Sequence, residues 1–173
     1  MDQSSVLQRE REDIHTISVL VSNKPGVLLR ICLIFSRRAF NIESLVVSPA
    51  IDGRYSRMTI TAQGSQKVLE QIVKQVDKLV DVLHASEHHS EESIEIELAL
   101  IKVKANQTER TDILQIVDHF KATTVDFSDD SLIIQVTGKT AKLDACLELF
   151  QKFEVLECVR TGKVAMCRGG LAT

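Results

Sequence analysis

The stretch TISVLVSNKPGVLLRICLIFSRR, residues 16–38, predicts a strand, a turn and a helix in direct succession, and these elements indicate the fold. Its first part alternates apolar Ile17, Val19 and Val21 with other residues, which is the two-residue period of a half-buried strand. Asn23-Lys24-Pro25-Gly26 then interrupts the strand, and a Pro-Gly pair suits a type II turn, although a helix could also start there. A helix is predicted from about Val27 to Arg38, with an apolar face formed by Leu28, Ile31, Cys32 and Phe35.

Two more strands and a second helix follow in the first half of the chain. Strand patterns at Asn41 to Ser48 and Arg54 to Ala62 flank a hairpin that Asp52-Gly53 marks. A helix is predicted to begin at Gly64 and Ser65, and a last strand covers Leu79 to His84. The order βαββαβ most economically forms a four-stranded antiparallel sheet with two helices on one face.

The second half of the chain repeats this order. A strand starts at Ile96, Asn106 can cap a helix with Glu109 as its capping-box partner, and a turn covers residues 128–131. At a fixed offset of 74, apolar positions of the first half fall on apolar positions of the second, including Met58 on Leu132, Ile60 on Ile134, Leu69 on Leu143 and Val76 on Phe150. Such self-similarity indicates two copies of one unit.

The chain is therefore predicted to be an α+β protein of two tandem ferredoxin-like βαββαβ units, with antiparallel sheets and helices on one face. We expect a polar extension over 1–13, the first unit over 14–85, a hinge over 86–93, the second unit over 94–168 and a tail over 169–173.

The second strand of such a unit lies at a sheet edge. In the first unit this strand, Asn41 to Ser48, is apolar and carries Glu43 as its one charge. An exposed edge of this kind invites association with another chain. The simplest resolution is a homodimer in which two such edges pair.

Composition and charge exclude several classes of protein. The chain has 173 residues and a net charge of −3, so nothing directs it as a whole to nucleic acid or to a membrane surface. It has no apolar run long enough to span a bilayer, and acids among residues 1–12 argue against a signal or transit peptide. RNA binding on the sheet would need aromatics, yet Tyr55 is the only tyrosine. We expect a cytoplasmic protein.

Chemistry-bearing motifs are absent from the sequence. It has no phosphate-binding loop, dinucleotide fingerprint or nucleophile elbow, and no catalytic carboxylate pair stands out, so no catalytic residues are expected. His84, His88 and His89 cluster loosely, but a polar hinge explains them better than a metal site. Cys32 and Cys146 lie in apolar helical patterns, as free buried thiols do.

Several segments resemble those of a known family. Asn23-Lys24-Pro25-Gly26-Val27-Leu28, Phe40-Asn41-Ile42-Glu43-Ser44-Leu45 and Ser56-Arg57-Met58-Thr59-Ile60 look like an ACT domain, a small-molecule sensor. Together with residues 67–72 and 78–82 they make the chain, from Ile14 to Gly169, resemble the small regulatory subunit of acetohydroxyacid synthase (acetolactate synthase).

The resemblance implies a function in the biosynthesis of valine, leucine and isoleucine. In that family the large subunit carries thiamine diphosphate, magnesium and usually FAD. The small subunit activates it and confers feedback inhibition, commonly by valine. A non-catalytic regulatory subunit is therefore implied, with no cofactor on this chain and a large catalytic subunit as its partner. The N-terminal extension departs from shorter bacterial forms and has no assigned role.

The implied effector site has a physical basis. The backbone N–H groups of Gly26, Val27 and Leu28 lie at a positive helix end, which can bind a carboxylate. The remaining candidates are Asn23 and Asn41, which offer neutral donors and acceptors, and Ile42, which with Leu28 can wall an aliphatic pocket. By resemblance, the turn of one protomer and the edge strand of another build the site. Turn chemistry alone explains these residue types equally well.

The second unit lacks this equipment. Its corresponding segment is Asn106-Gln107-Thr108-Glu109-Arg110, and Glu109 would repel a ligand carboxylate. This unit is expected to support dimerisation or to contact the large subunit.

An alternative function for the whole chain is a free-standing amino-acid- or metal-responsive ACT-type regulator. A transcriptional form would need a DNA-binding element, and no helix-turn-helix segment is left over. A small ferredoxin-like enzyme would need a nucleophile or an acid–base pair.

Overall fold

The computed structural model describes residues 14–38, 40–88, 91–170 and 173. They form two compact units, one up to Ile94 together with Gly162–Thr173 and one over Glu95–Thr161. The elements are β1 (Ile14–Ser22), α1 (Val27–Arg37), β2 (Asn41–Pro49), β3 (Tyr55–Gln63), α2 (Gln66–Val76), β4 (Val82–His88), β5 (Ser93–Lys104), α3 (Arg110–His119), β6 (Thr123–Phe127), β7 (Ser131–Gly138), α4 (Thr140–Phe150), β8 (Val155–Arg160) and β9 (Val164–Cys167). The predicted class, two tandem ferredoxin-like units, is confirmed.

The first unit has an antiparallel sheet with the strand order β2-β3-β1-β4. The alternation predicted for β1 is confirmed, since Ile17, Val19 and Val21 are all buried. They form one core with Ile31 and Phe35 of α1 and with the buried residues of α2, so both helices cover the same face of the sheet. As predicted, β2 lies at the edge.

The turn between β1 and α1 spans Lys24 to Val27. Gly26 has φ 82° and ψ −8°, the values of the third residue of a type II turn, and it is also the N-cap of α1. The N–H of Val27 donates to the carbonyl of Lys24 at 3.5 Å. Only glycine adopts such a positive φ without strain, so the Pro25-Gly26 pair fixes where the helix begins.

The second unit repeats the architecture with the strand order β6-β7-β5-β8, and β9 also pairs with β5. Its core includes Ile101, Ile134 and Phe150. The offset of 74 holds for β3 and β7 and for α2 and α4, but it differs before these elements and in the last strands. Ile17 pairs with Ile60 whereas Ile101 pairs with Ile134, so the first strands are offset by 84. Part of this shortening of the second unit arises because β6 has 5 residues and β2 has 9.

Two segments differ from the sequence prediction. The last strand of the first unit is Val82–His88 and not Leu79–His84, because residues 77–81 form turns in which the N–H of Leu79 donates to Val76 and that of Val82 to Leu79. The predicted hinge therefore starts within β4, and Ser93 already belongs to β5. Residues 162–173, which the sequence assigned to the second unit and a tail, group with the first unit.

No helix in the described part of the chain is both long and apolar enough to cross a bilayer. The predicted extension over 1–13 lies outside the described residues.

Candidate functional site

The start of α1 presents an open helix N-terminus. Val27 is 2% exposed and anchors this end in the core, whereas Leu28 is 40% exposed and Gly26 is exposed. A Cβ built on Gly26 would meet no atom within 4 Å, so there is space beside the turn. The first turn of α1 contains no acidic residue. A helix end of this kind attracts anions, because its first N–H groups point outward and its dipole is positive there.

Asn23 has a structural role in the turn. Its backbone N–H donates to the carbonyl of Arg54 at 2.8 Å, and its side-chain Nδ2 donates to the carbonyl of Gly53 at 3.1 Å. Both bonds tie the turn to the β2–β3 hairpin. The side-chain amide nitrogen of Asn23 therefore has a structural role in the turn. The oxygen Oδ1 is the side-chain atom that could contact a ligand.

Asp81 links the turn and α1 to the start of β4, and the sequence analysis missed it. Its carbonyl accepts the N–H of Ser22 at 2.8 Å. Its carboxylate accepts a hydrogen bond from Arg30 and lies 3.8 Å from the ammonium group of Lys24. Two cations and one anion leave this end of the helix with a net positive charge. No local signal could reveal the cluster, since Arg30 and Asp81 are 51 residues apart.

Asn41 and Ile42 lie at the other end of the sheet. Asn41 is exposed and pairs with Gln63 at the end of β3, whereas Ser22, which precedes the turn, pairs with Tyr55 at its beginning. The eight residue steps from Tyr55 to Gln63 span roughly 27 Å at about 3.4 Å per step. One chain thus brings Asn23, Gly26, Val27 and Leu28 together and keeps the other two candidates away from them.

Glu43 is a bulge residue beside Asn41. The register passes from Ile42 opposite Ala62 to Ser44 opposite Thr61, which leaves Glu43 unmatched. Its Oε1 accepts a hydrogen bond from Nδ2 of Asn41 at 2.5 Å. Ile42 is half-buried and packs against the core. A bulge re-aims side chains and weakens the ladder locally, so this end of β2 is the less restrained end of the strand.

The helix start of the second unit is occupied by its own side chains. Oδ1 of Asn106 accepts the N–H groups of Thr108 and Glu109 at 3.2 and 3.0 Å in the turn before α3, but the helix begins at Arg110 with Glu109 as its N-cap, which differs from the predicted capping box. Arg110 donates to the carbonyl of Ser128 at 2.7 Å, and its guanidinium lies 4.7 Å from the centre of the Phe127 ring. The fold is shared, but the local chemistry differs from that of the first unit.

Histidines and cysteines make no cluster of metal ligands in the described ranges. Groups of three or more His, Cys, Asp or Glu side chains that could hold an ion are absent there, and His89 of the predicted polar segment lies outside them. His88 instead contacts Ser18 and Cys167. Burial raises the pKa of the Cys146 thiol to about 11, as expected of a buried free cysteine, while Cys32 is half-buried.

Comparisons with known proteins agree with this architecture. Residues 17–84 match the model of the AHAS small subunit-like ACT domain, so the first unit is an ACT domain. Residues 96–169 match the model described as the small subunit of acetolactate synthase.

The similarity to known proteins covers both units of the chain. A probable acetolactate synthase small subunit from Archaeoglobus fulgidus is 48% identical over 155 residues, which cover 90% of this chain and 97% of that protein. The acetolactate synthase small subunit of Mycobacterium bovis is 44% identical over 155 residues, covering 90% and 92%. The crystal structure of the acetolactate synthase small subunit from Thermotoga maritima superposes with a TM-score of 0.82 at 39% identity, covering 91% and 99%. The chain belongs to the acetolactate synthase small-subunit family.

Proposed function

We propose that this chain is the non-catalytic regulatory subunit of acetohydroxyacid synthase and acts in the cytoplasm on branched-chain amino-acid biosynthesis. It activates a thiamine-diphosphate-dependent large subunit and makes that enzyme sensitive to feedback inhibition by valine. The observation that carries the proposal is the match of both units, over 90% of the chain, to a small subunit of this enzyme. The ACT domain and the chemistry of its turn support a small-molecule effector such as an amino acid.

The turn suits the carboxylate of an amino acid. Gly26 and Leu28 supply backbone N–H groups at an exposed helix start, whereas the N–H of Val27 already donates to the carbonyl of Lys24, and the net positive charge of the Lys24, Arg30 and Asp81 cluster lies beside them. The half-exposed Leu28 offers an aliphatic wall for a branched side chain.

A homodimer completes the site. If two β2 edges pair antiparallel about Leu45, Asn41 of one copy lies opposite Pro49 of its partner. Pro49 pairs with Ser56, which is adjacent to Tyr55 at the turn end of β3. The pairing therefore moves Asn41 and Ile42 from the far end of their own sheet to the turn end of the partner sheet. This geometry supports a site that two protomers share, with the turn from one and the strand start from the other.

The test is an assay of acetolactate formation from pyruvate with three samples. The chain alone should give none. The large subunit should become faster when the chain is added, and valine should then inhibit it. Acetolactate formation by the isolated chain above trace contamination would contradict the regulatory role. Activation without any response to valine, leucine or isoleucine would support the large subunit as the partner and contradict a branched-chain amino acid as the effector.

A further inference from the structure

Cys167 and His88 form a pair of reactive side chains that the proposed function does not use. Sγ of Cys167, the last residue of β9, lies 3.6 Å from Nδ1 of His88, the last residue of β4, and both residues belong to the first unit. His88 pairs with Thr16, which is adjacent to the core residue Ile17, so it faces the side of the sheet that the helices do not cover. A thiol beside an imidazole can act as a nucleophile, because the ring can accept the thiol proton.

The ring of His88 is held in the orientation that this proton transfer needs. His88 is buried, and its other nitrogen, Nε2, lies 2.6 Å from Oγ of Ser18, which is buried as well. With the ring proton on Nε2, this nitrogen donates to Ser18, and Nδ1 accepts from the thiol of Cys167. The pair thus has the three parts of an activated nucleophile, which are the nucleophile, its base and a group that orients the base.

The backbone around Cys167 is anchored at two successive residues. The N–H of Cys167 donates to Oγ1 of Thr173 at 2.8 Å, and the N–H of Arg168 donates to the carbonyl of Glu92 at 2.9 Å. Cys167 itself is half-buried, so a small reagent has access to it. These bonds hold the thiol beside the imidazole, and reactive cysteines are found in partly exposed surroundings of this kind.

The other three cysteines have different surroundings. Cys146 is fully buried in the core of the second unit, and burial raises the pKa of its thiol to about 11. Cys158 is exposed on β8, yet desolvation of its sulfur raises the pKa of this thiol as well. Cys32 lies in α1, on the helix side of the first sheet, whereas His88 faces the other side. The surroundings of Cys167 therefore distinguish it from the other thiols of the chain.

We propose that Cys167 is an oxidation-sensitive thiol, which hydrogen peroxide or another small hydroperoxide converts to a sulfenic acid with His88 as the proton acceptor. The thiol proton moves to Nδ1, and the thiolate sulfur attacks one oxygen of the peroxide. The S–O bond forms as the O–O bond breaks, so the sulfur loses two electrons and the peroxide gains them. The proton on Nδ1 then passes to the leaving hydroxide, and the products are the sulfenic acid and water.

The sulfenic acid is expected to react with an external reagent. A sulfenic acid condenses with a nearby thiol when one is in reach. Within the first unit the other cysteine is Cys32, which lies across the sheet from Cys167. The product should therefore be captured by a small molecule such as glutathione, or by dimedone, a reagent for sulfenic acids.

The experiment treats the full chain with hydrogen peroxide in the presence of dimedone, and peptide mass spectrometry locates the label. Cys167 should be labelled at least about tenfold faster than Cys158, although Cys158 is the more exposed thiol. The order would be reversed if exposure alone decided the rate. Cys167→Ser should remove the label at this position, and Cys158→Ser should leave the labelling of Cys167 unchanged.

His88→Gln tests the role of the ring. Glutamine offers hydrogen bonds but does not accept the thiol proton, so the labelling of Cys167 should become at least about tenfold slower, as expected when a general base is lost. The label on Cys158 in the same sample is the internal control for the reagents. A thermal unfolding curve shows whether the variant is folded.

Other outcomes overturn the proposal. Labelling of Cys158 or Cys32 ahead of Cys167 in the wild-type chain would refute the site, whatever the variants do. Equal labelling rates of Cys167 in wild type and in folded His88→Gln would refute the role of the imidazole. If His88→Gln does not fold, Ser18→Ala replaces it, because it keeps the ring and removes the partner of Nε2. A labelling rate that Ser18→Ala leaves unchanged would then contradict the activation of Cys167 by an oriented ring.

Discussion

Replacing Gly26 with Asp tests whether the start of α1 is the carboxylate seat. Gly26 has φ 82°, so any other residue there costs roughly 1–2 kcal/mol of backbone strain. The new side chain meets no steric obstacle, since a Cβ on Gly26 has nothing within 4 Å. The protein should therefore fold with a modest loss of stability and still activate its partner.

The new carboxylate of this variant would lie beside the proposed position of the effector carboxylate. Two like charges about 4 Å apart repel by roughly 4 kcal/mol at an effective dielectric of 20, before screening by salt. Since about 1.4 kcal/mol corresponds to a factor of ten, valine should bind up to about a thousandfold more weakly. Asn41→Ala, which removes a neutral group, should weaken inhibition more mildly.

The assay is enzyme activity against valine concentration, with the large subunit saturated by each variant. Gln107→Asp is the matched control, because it places the same charge in the corresponding segment of the second unit, and it should leave inhibition nearly intact. Normal inhibition in Gly26→Asp, or loss of inhibition in Gln107→Asp alone, would show that the effector site is not in the first unit.

Three further predictions concern the dimer edge, the Asp81 cluster and packing. Val47 on β2 is 43% exposed and should be buried by the partner copy, so Val47→Lys should weaken self-association measured by sedimentation. Val159→Lys on β8, where the valine is 54% exposed, should not weaken it. A dimer that Val47→Lys leaves unchanged would show that the interface lies elsewhere. Asp81→Ala should lower the free energy of unfolding in urea by about 1–2 kcal/mol because it removes the ion-pair partner of Arg30. Glu154→Ala, which breaks an exposed pair with Lys104, should leave the free energy of unfolding nearly unchanged, and equal losses in the two variants would show that Asp81 has no special structural role. Gly64→Ala would place a Cβ 2.2 Å from the Phe40 ring and should destabilise the protein by about 1–3 kcal/mol. Gly53→Ala is the control, because a Cβ on Gly53 has open space around it. A thermal unfolding temperature that Gly64→Ala leaves unchanged would contradict the close packing of Gly64 on Phe40.

The fold could be predicted from the sequence where local periodicity decides the structure. The alternation through Ile17, Val19 and Val21 matches the burial of β1, because a strand with one face on helices must place every second residue in the core. The position of β4 could not be predicted in the same way. Leu79 is apolar and packs against the core, but it does so from a turn, and hydrophobicity alone does not distinguish a turn residue under the sheet from a strand residue.

One part of the candidate site could likewise be predicted from local sequence, and the other part could not. The turn was predictable, since Pro25-Gly26 prescribes its backbone angles and Gly26 adopts them. The Asp81 cluster and the contact of Cys167 with His88 could not be predicted, because they join residues far apart in sequence through contacts that leave no periodic signal. The same holds for the separation of Asn41 from Asn23, which depends on the register of β2, β3 and β1 and not on any one of these strands.

The two units of the chain show that the fold by itself does not make an effector site. Both have the same strand order and the same pair of helices, yet Gly26 leaves the start of α1 open, whereas Asn106 and Arg110 occupy the start of α3. A ligand carboxylate at α3 would have to displace Oδ1 of Asn106 and lie near Asp112 in the first helical turn. At α1 it would displace no side chain and would meet a net positive charge. If the first unit is the sensor, as proposed, it differs from the second unit in a few residues at one helix start, so exchanging those residues is a more direct test of sensing than deleting either unit.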